Sequence, residues 1–345
     1  MTIQIPYNQS RITKKDRESV ELALKSNWIA GNGDLVRQFE QEIAGYTGYE
    51  HAIAVSSATV GLFVAYSVVL PCLGIPRGSK ISMPANTFVA TANMAIAAGY
   101  VPNPIDTDED GILRNKLTHV SVTYSGNPTP MGIIGDDAHY VMRGMGSRSQ
   151  LVSVLSTHAI KPITTGEGGV ILTNHQNLYL SMKEVVDHGR NEGGFGFGYN
   201  FRMPSLNAAL GISQLEQADI NLSRRQKIAK YYDTELMGLY DVIVPLREGD
   251  HCYHLYPILL KEGSPKKTQG ANVNSMNLAK FLESEGIGTQ KHYPSLDSYD
   301  HIDTDKMCKN ARKYYRETLS IPMSAAMTMS DAETVVKTIK KYFGA

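Results

Sequence analysis

The sequence has few cysteines. It contains three, Cys72, Cys252 and Cys308, which are far apart in a chain of 345 residues. Their odd number and their spacing match neither a disulfide framework nor a zinc-binding motif. Free cysteines are typical of a reducing compartment. We therefore predict a cytoplasmic protein without a bound metal.

The sequence also has no excess of charge of either sign. Lys and Arg together number 34, and so do Asp and Glu. Proteins that bind nucleic acid or anionic membranes usually carry a basic excess. The charge balance therefore predicts neither nucleic acid nor a membrane surface as a partner. A small anionic ligand remains open, because a local site needs only a few donors.

Long apolar runs are missing as well. The longest, VGLFVAYSVVLPCLGI, is interrupted by Pro71 and Gly74, so it is too broken to span a membrane and predicts a buried helix. The N-terminal residues MTIQIPYNQSRITKKD lack the apolar core of a signal peptide. We therefore expect no membrane association.

Short β-rich segments alternate with helical segments in the first two thirds of the chain. This alternation predicts an α/β fold with a mostly parallel sheet. Residues 1–234 are predicted to form a large domain that ends in a connector helix, and residues 235–345 a smaller α+β domain. Ligands bind at the carboxyl ends of the strands in such sheets, where residues 56–59, 136–139 and 156–161 are expected to lie.

One of these strand ends contains a lysine in an unusual setting. The segment STHAIKPITTGEGGVILTN places Lys161 between two apolar strands and before a proline, two threonines and a G-E-G-G turn. Most lysines are solvated surface charges, and that is the ordinary alternative. A lysine withdrawn from water has a lowered pKa, as Schiff-base catalysis requires. Lys161 is therefore a candidate covalent catalyst.

Three other segments suggest a site for an anionic, aromatic group. In IIGDDAHY, the pair Asp136 and Asp137 needs a cationic partner if it is buried, such as a protonated pyridine nitrogen; a helix cap is the alternative. VSSATVGL opens a helix whose N–H groups can bind an anion, although Ser and Thr also cap helices. GYNFRMPS carries Asn200 and Arg202 on a predicted loop, which is otherwise a simple turn.

The order of these features along the chain fits pyridoxal phosphate (PLP). A phosphate-binding loop comes first, followed by an aromatic residue, Phe88, the acidic pair, a serine, Lys161 and a polar loop. PLP requires a lysine, an acid at its ring nitrogen and a phosphate cup together. Each signal is weak alone, and their order makes a PLP site the leading hypothesis.

The chain resembles the DegT/DnrJ/EryC1/StrS family of PLP-dependent aminotransferases nearly from end to end. The segments that carry the resemblance are WIAGNGDLVRQFEQEIAGYTGYEHAIAVSSATVGL, NTFVATANM, DDAH, KPITTGEGGVILTN, GYNFRMPSLNAALGISQLEQ, YHLYPILL, KHYP and LSIPM. The lysine segment and GYNFRM are the most specific of these. Their common order along the chain makes this family the expected one.

The resemblance implies PLP-dependent transferase fold type I and a homodimer with active sites at the interface. It implies that Lys161 binds the aldehyde carbon of PLP, that Asp137 binds the pyridine nitrogen and that Phe88 stacks on the ring. The phosphate contacts that it implies are Ala58, Thr59 and Ser156, together with Asn200 from the partner subunit. The other pocket residues that it implies are Tyr140 toward the cofactor, His158, His292 and Tyr293 toward the substrate, and Glu167 without an assigned role.

The sequence departs from the family pattern in three places. Ala58 replaces the usual glycine of the phosphate cup. A helix that the family carries between SGNPTPMG and DDAH is missing, and the segment from Asp137 to Lys161 is short, so we predict a trimmed large domain. His139 and Tyr140 stand where the family often has a small residue followed by His or Gln, which leaves the contact to the phenolic oxygen of PLP unassigned.

The predicted function is amino transfer from glutamate to a nucleotide-linked keto-deoxy sugar. The expected acceptor is a 4-keto-6-deoxy sugar, which would give a perosamine- or viosamine-type product. The alternatives are a cyclitol or a 3-keto sugar as acceptor, and a PLP-binding regulatory protein without turnover. A plain nucleotide-binding domain would need G-x-G-x-x-G after the first strand, and VSSATVGL does not supply it.

Overall fold

The structure is a computed structural model that describes most of the chain. The described residues are 2–114, 116–128, 132–245, 247, 249–261, 267–268, 271–272, 274–304 and 306–344. Among these residues, no helix has both the length and the apolar character needed to cross a membrane.

Helices and strands alternate through the first part of the chain, as the sequence predicts. These elements are α1 (Lys14–Lys25), α2 (Asp34–Thr47), β1 (His51–Val55), α3 (Ala58–Cys72), β2 (Lys80–Pro84), α4 (Ala90–Ala97), β3 (Val101–Ile105) and β4 (Thr118–Val122). The middle part adds β5 (Gly132–Asp136), β6 (Val152–Ser156), β7 (Gly169–Thr173), α5 (Gln176–Val186), β8 (Arg190–Asn191), β9 (Gly194–Phe195), α6 (Ser205–Glu216) and α7 (Ala218–Leu236).

The C-terminal part mixes short strands with helices. Its elements are β10 (Val242–Ile243), β11 (Tyr256–Leu260), β12 (Lys267–Thr268), β13 (Ala271–Asn272), α8 (Ser275–Ser284), α9 (Lys309–Glu317), β14 (Thr318–Ile321) and α10 (Met329–Phe343). Strand β11 pairs with β10 on one side and with β14 on the other, antiparallel in both cases. This three-stranded sheet is the centre of the smaller α+β unit that the sequence predicts.

The large sheet has the strand order β1-β7-β6-β5-β4. Strands β4, β5 and β6 are parallel, whereas β7 is antiparallel to both of its neighbours. The parallel pair β2–β3 lies beside β4 and is joined to it through side chains. Ser82 donates its backbone N–H to Nδ1 of His119 at 3.1 Å, and His119 returns its own N–H to Oγ of Ser82 at 3.0 Å. The α/β prediction is confirmed.

The connection between β4 and β5 is unusually short. Parallel neighbours are normally joined by a crossover of a dozen or more residues that contains a helix. Here residues 123–131 make the connection, and its described part, residues 123–128, contains a 3₁₀ turn but no α-helix. The next crossover, from Asp136 to Val152, likewise contains only a 3₁₀ turn. The described residues of both connections therefore fit the predicted trimming of the large domain.

Polar side chains cover the part of the sheet beside these short connections. Gln150 Nε2 donates to Ser121 Oγ at 2.8 Å, and Ser153 Oγ donates to Asp137 at 2.5 Å. All four side chains are buried. Buried polar groups are tolerated when each finds a partner. The loop before β6 thus covers the sheet with hydrogen bonds in place of an apolar helix face.

Two apolar cores meet along the connector helix. One contains Ala218 of α7 and residues of α2 and the large sheet, whereas the other contains Ile228 and Tyr232 of α7 with residues of β11, β14 and α10. Helix α7 therefore packs into both parts of the chain. The predicted domain boundary, between residues 234 and 235, lies in the last turn of this helix and stays a prediction.

Candidate active site

A cavity of about 290 Å³ opens at the carboxyl ends of β1, β5 and β6. This is the edge at which ligands bind in open α/β sheets. The predicted site residues that line it are Ala58, Thr59, Phe88, Ser156, His158, Lys161, His292 and Tyr293. The structure therefore brings together residues that are up to 235 positions apart in the sequence. Glu167 lies at the same cavity, where its carboxylate is 3.5 Å from Nε2 of His158.

Lys161 is not a solvated surface charge. Burial lowers the pKa of its amine to about 7, although the nearby carboxylate of Asp136 acts in the opposite direction. The contact that the structure gives to Nζ is Nε2 of His254 at 3.3 Å. An amine with a pKa near 7 is about half uncharged at neutral pH, whereas an ordinary lysine is almost fully protonated, so a large share of Lys161 can act as nucleophile or base.

Asp136 is the member of the acidic pair that lines the cavity. Its carboxylate accepts hydrogen bonds from Oγ1 of Thr91 at 2.6 Å and from the N–H of Ala138 at 3.2 Å. Burial raises the pKa of this carboxyl, and the hydrogen bonds and Lys161 oppose that effect. A buried carboxylate fixed at the wall of a cavity is suited to bind a cationic N–H group.

Asp137, which the sequence assigned to the pyridine nitrogen, lies elsewhere. Its carboxylate binds Nη1 of Arg148 at 3.0 Å and Oγ of Ser153 at 2.5 Å, and it does not line the cavity. Successive side chains at the end of a strand point to opposite faces of the sheet, so only one of two adjacent acids can face the ligand edge. The geometry places Asp136, and not Asp137, at the cavity.

The N-terminus of α3 forms one end of the cavity. Ser57 is the N-cap and accepts a hydrogen bond from the N–H of Val60. The N–H groups of Ala58 and Thr59 belong to the first turn, where no acceptor exists within the helix. Such a terminus binds anions. Ala58 in place of glycine is compatible with this arrangement, because its side chain is buried at the start of the helix.

The G-E-G-G turn lets β7 approach this helix closely. A Cβ atom at Gly169 would lie 2.5 Å from the backbone nitrogen of Ala58. Contacts that short do not occur in folded proteins, so a side chain here would displace the start of α3. The glycine after Glu167 and Gly168 is therefore explained by the close approach of β7 to the start of α3.

Phe88, His139 and Tyr293 form another wall. Phe88 is 54% exposed, and its ring centroid lies 5.5 Å from that of Tyr293. Nδ1 of His139 accepts the N–H of Ser125 at 3.2 Å, and burial keeps the pKa of the ring well below its usual range. The single proton of the neutral ring is therefore on Nε2, which donates to Oη of Tyr293 at 3.1 Å. The hydroxyl hydrogen of Tyr293 is left for another acceptor.

Besides Asp137, two further predicted residues do not line the cavity of their own chain. Tyr140 is buried in the core around α2, with the guanidinium of Arg148 5.0 Å from its ring centre, so the structure does not place it at the cofactor. Its neighbour His139 lines the cavity instead. Asn200 is exposed, and its backbone pairs with Asp187. Its contact to a partner's cofactor stays a prediction.

Sequence reasoning gave no individual assignment to Asp136 or His139, which line the cavity, or to His254, which contacts Lys161. The alternation of side chains along β5 would separate the two aspartates once the end of that strand is known. His254 carried no signal of its own, since its contact with Lys161 joins residues 93 positions apart.

Comparisons with known proteins identify the family. The model of the DegT/DnrJ/EryC1/StrS aminotransferase family matches residues 10–123 and 133–340, on either side of the short β4–β5 connection. The chain is 31% identical to a UDP-4-amino-4,6-dideoxy-N-acetyl-beta-L-altrosamine transaminase of Campylobacter jejuni (strain 81-176), over 97% of this chain and 96% of that protein. It is 29% identical to the spore coat polysaccharide biosynthesis protein SpsC of Bacillus subtilis, with the same coverage.

Solved structures give the same result. Helicobacter pylori PseC, an aminotransferase involved in the biosynthesis of pseudoaminic acid, superposes with a TM-score of 0.87 at 26% identity and covers 99% of both chains. DesI, solved with its TDP-sugar product, has the same fold, with a TM-score of 0.84 at 22% identity over 99% of this chain and 94% of that one. The predicted fold type I and enzyme class are confirmed: the chain belongs to the DegT/DnrJ/EryC1/StrS aminotransferase family.

Proposed function

We propose that the protein is a PLP-dependent aminotransferase that moves an amino group from glutamate to a nucleotide-linked 4-keto-6-deoxy sugar. The observation that carries the proposal is that Lys161, whose pKa burial lowers to about 7, and the Asp136 carboxylate line the same cavity. The names of the relatives support the acceptor, since the Campylobacter relative is a transaminase of a UDP-linked 4-amino-4,6-dideoxy sugar.

The residues of the cavity fit PLP in chemistry and in position. The first turn of α3 and Ser156 offer donors to a phosphate, Asp136 offers a carboxylate to a protonated ring nitrogen, and Lys161 offers an uncharged amine. Phe88 supplies an aromatic face at the cavity wall. The role expected of Asp137 therefore passes to Asp136. PLP, when bound, supplies the electron sink for amino transfer.

The protein's own groups provide positioning and proton transfer. Lys161, with a pKa near 7, takes up and returns a proton beside the reacting carbon as general base and acid. Asp136 keeps the proton on the ring nitrogen, since its carboxylate is fixed by Thr91 and Ala138. Tyr293, held by His139, offers its hydroxyl hydrogen to an oxygen of the cofactor or substrate.

The subunit arrangement is part of the proposal. A homodimer would place Asn200, which is exposed on its own chain, at the phosphate of the partner's cofactor. His158 and His292 line the cavity and would contact the substrate. The cytoplasmic location stays a prediction.

The test is a two-stage reaction of the PLP-loaded protein. Glutamate alone should replace the near-visible absorbance band by that of the pyridoxamine form, and a nucleotide-linked 4-keto-6-deoxy sugar should restore it. A panel with 3-keto sugars and keto cyclitols compares the acceptors. Lys161→Ala is the control, which should show neither change. A protein that binds PLP but never responds to glutamate would be a regulatory PLP protein, and the proposal would fail.

A further inference from the structure

His254 touches Lys161 but is not one of the residues that line the cavity. Its Nε2 lies 3.3 Å from Nζ of Lys161, and its side chain is fully buried. His254 does not line the cavity, whereas Lys161 does. The imidazole therefore contacts the amine from within the protein and leaves the cavity side of Nζ open to a ligand.

The backbone around His254 is held on several sides. Its carbonyl accepts from Nδ2 of Asn8 at 3.4 Å and from Nη1 of Arg225 at 3.4 Å, and Arg225 also donates to the carbonyl of Tyr253 at 3.0 Å. The thiol of Cys252 donates to the carbonyl of His139 at 2.9 Å. The segment 252–254 is thus fixed to Asn8 near the N-terminus, to Arg225 of α7 and to His139 in the loop after β5, so the imidazole has a fixed position.

The ring of His254 is neutral in this setting. Burial keeps its pKa well below the usual range, and the positive charges of Lys161 and Arg225 act in the same direction, as do His139 and His292. The other titratable groups beside the amine are Asp136 and Cys252. A neutral imidazole can hydrogen-bond an amine without adding charge.

We propose that His254 is a positioning residue whose Nε2 holds the Lys161 amine at the inner wall of the cavity, aimed at the carbonyl carbon of the ligand. The contact restricts a long side chain that otherwise has several free torsions, and a misplacement of about 1 Å at a reacting atom slows a reaction on the order of a hundredfold. The proposal deepens the proposed function and rests on it for the identity of the ligand.

Two substitutions of His254 by neutral amides distinguish an effect on the position of the Lys161 amine from an effect on packing. In His254→Gln the amide reaches the place of Nε2, whereas in His254→Asn it reaches only the place of Nδ1, which has no hydrogen-bond partner among the described residues. His251→Asn is the matched control, because His251 is buried on the same segment but contacts Ser125 and Tyr253. Thermal unfolding of each variant verifies that it is folded.

The first readout is the rate at which each cofactor-free protein captures PLP. The growth of the near-visible absorbance band measures this rate. We expect His254→Gln to stay within about threefold of the unaltered protein and His254→Asn to be slowed by about tenfold or more. The second readout is reductive methylation of Lys161 without PLP, quantified by peptide mass spectrometry against exposed Lys14. The extent of methylation measured against pH should have its midpoint near pH 7 in every variant, since burial sets the charge state of Lys161.

Each outcome decides the question. Slow capture by His254→Asn with an unchanged midpoint, and rescue by His254→Gln, supports the proposal. Equal capture by the two amides overturns it, as does equal slowing by His251→Asn, which would indicate packing alone. A midpoint displaced together with the rate would make His254 a charge-setting residue and would also overturn it. Failure of the unaltered protein to capture PLP would instead refute the proposed function.

Discussion

Asp136 and Asp137 are adjacent in the chain but bind different partners. Asp136 ends β5 and lines the cavity, whereas Asp137 is sequestered with Arg148 and Ser153 beneath the loop before β6. One carboxylate therefore lies at the cavity, and the other binds groups of the loop before β6 and of β6 itself. They should therefore respond differently to the same substitution.

The substitutions Asp136→Asn and Asp137→Asn test this division. Asp136→Asn should fold normally but lose most of its amino-transfer rate, because an amide cannot keep a ring nitrogen protonated. Asp137→Asn should retain the chemistry and lose about 3 kcal/mol of unfolding free energy, since it removes a buried carboxylate that pairs with half-buried Arg148. Single-turnover rates and urea denaturation measure the two effects. The opposite pattern would return the cofactor role to Asp137.

The pKa of Lys161 makes a second prediction at this scale. The amine is protonated below about pH 7 and uncharged above it. The rate of PLP capture should therefore rise with pH through a midpoint near 7 and level off above it. A solvated lysine would give a midpoint near 10. Capture that keeps rising from pH 8 to pH 10 would show that Lys161 is not withdrawn from water.

The sequence predicts a cavity residue correctly where its motif allows only one position for that residue. Lys161 and Ser156 belong to one segment of fixed spacing, and the structure places both at the cavity. The pair of aspartates offered two positions one residue apart, and only the strand register separates them. Contacts such as His254 with Lys161 depend on packing between distant segments, and no local pattern encodes them.

At the scale of elements, the polar contact between Gln150 and Ser121 substitutes for a missing helix. Both residues are buried, and the Gln150 amide donates to Ser121 Oγ at 2.8 Å. Gln150→Ala should leave that hydroxyl without a donor and lower the unfolding free energy by about 2 kcal/mol. Ser149, the exposed neighbour of Gln150, gives the control: Ser149→Ala should change the unfolding free energy by less than about 0.5 kcal/mol. Equal effects of the two would show that Gln150 does not secure the sheet.

The sequence predicts the type of an element more accurately than its boundaries. The segment from residue 205 to residue 238 was read as one connector helix, and the structure divides it at Gln217 into α6 and α7. The apolar segment YHLYPILL predicts a strand from residue 253, but β11 begins at Tyr256, because residues 252–255 are bound to the loop after β4. Tertiary contacts decide such boundaries.

For the whole molecule, the proposed dimer has a consequence for mixed subunits. If Asn200 acts in the partner's site, a dimer of one Lys161→Ala and one Asn200→Ala subunit contains one site with both native residues. Mixing the two weakly active variants under conditions of subunit exchange should then restore up to a quarter of the original activity, on the order expected from random pairing into two-fold dimers. No recovery after verified exchange would place Asn200 in its own chain's site or in neither.

The fold and the enzyme class were predicted from patterns along the whole chain. Those predictions are more secure than the prediction of single site residues from short segments. Alternating periods and ordered motifs extend over hundreds of residues, so single errors in them do not change the result. The sheet nevertheless contains an antiparallel strand, β7, because the lysine segment returns from β6 without a crossover helix. The acceptor sugar depends on contacts at the cavity mouth, which neither composition nor periodicity encodes.

The central claim is that Lys161 binds PLP covalently in this cavity. Incubation with PLP, reduction with borohydride and peptide mass spectrometry test it most directly. The account predicts a pyridoxyl phosphate adduct on the peptide that contains Lys161, at one per subunit, and its loss in Lys161→Arg. An adduct spread over exposed lysines, or its absence from that peptide, would contradict the account.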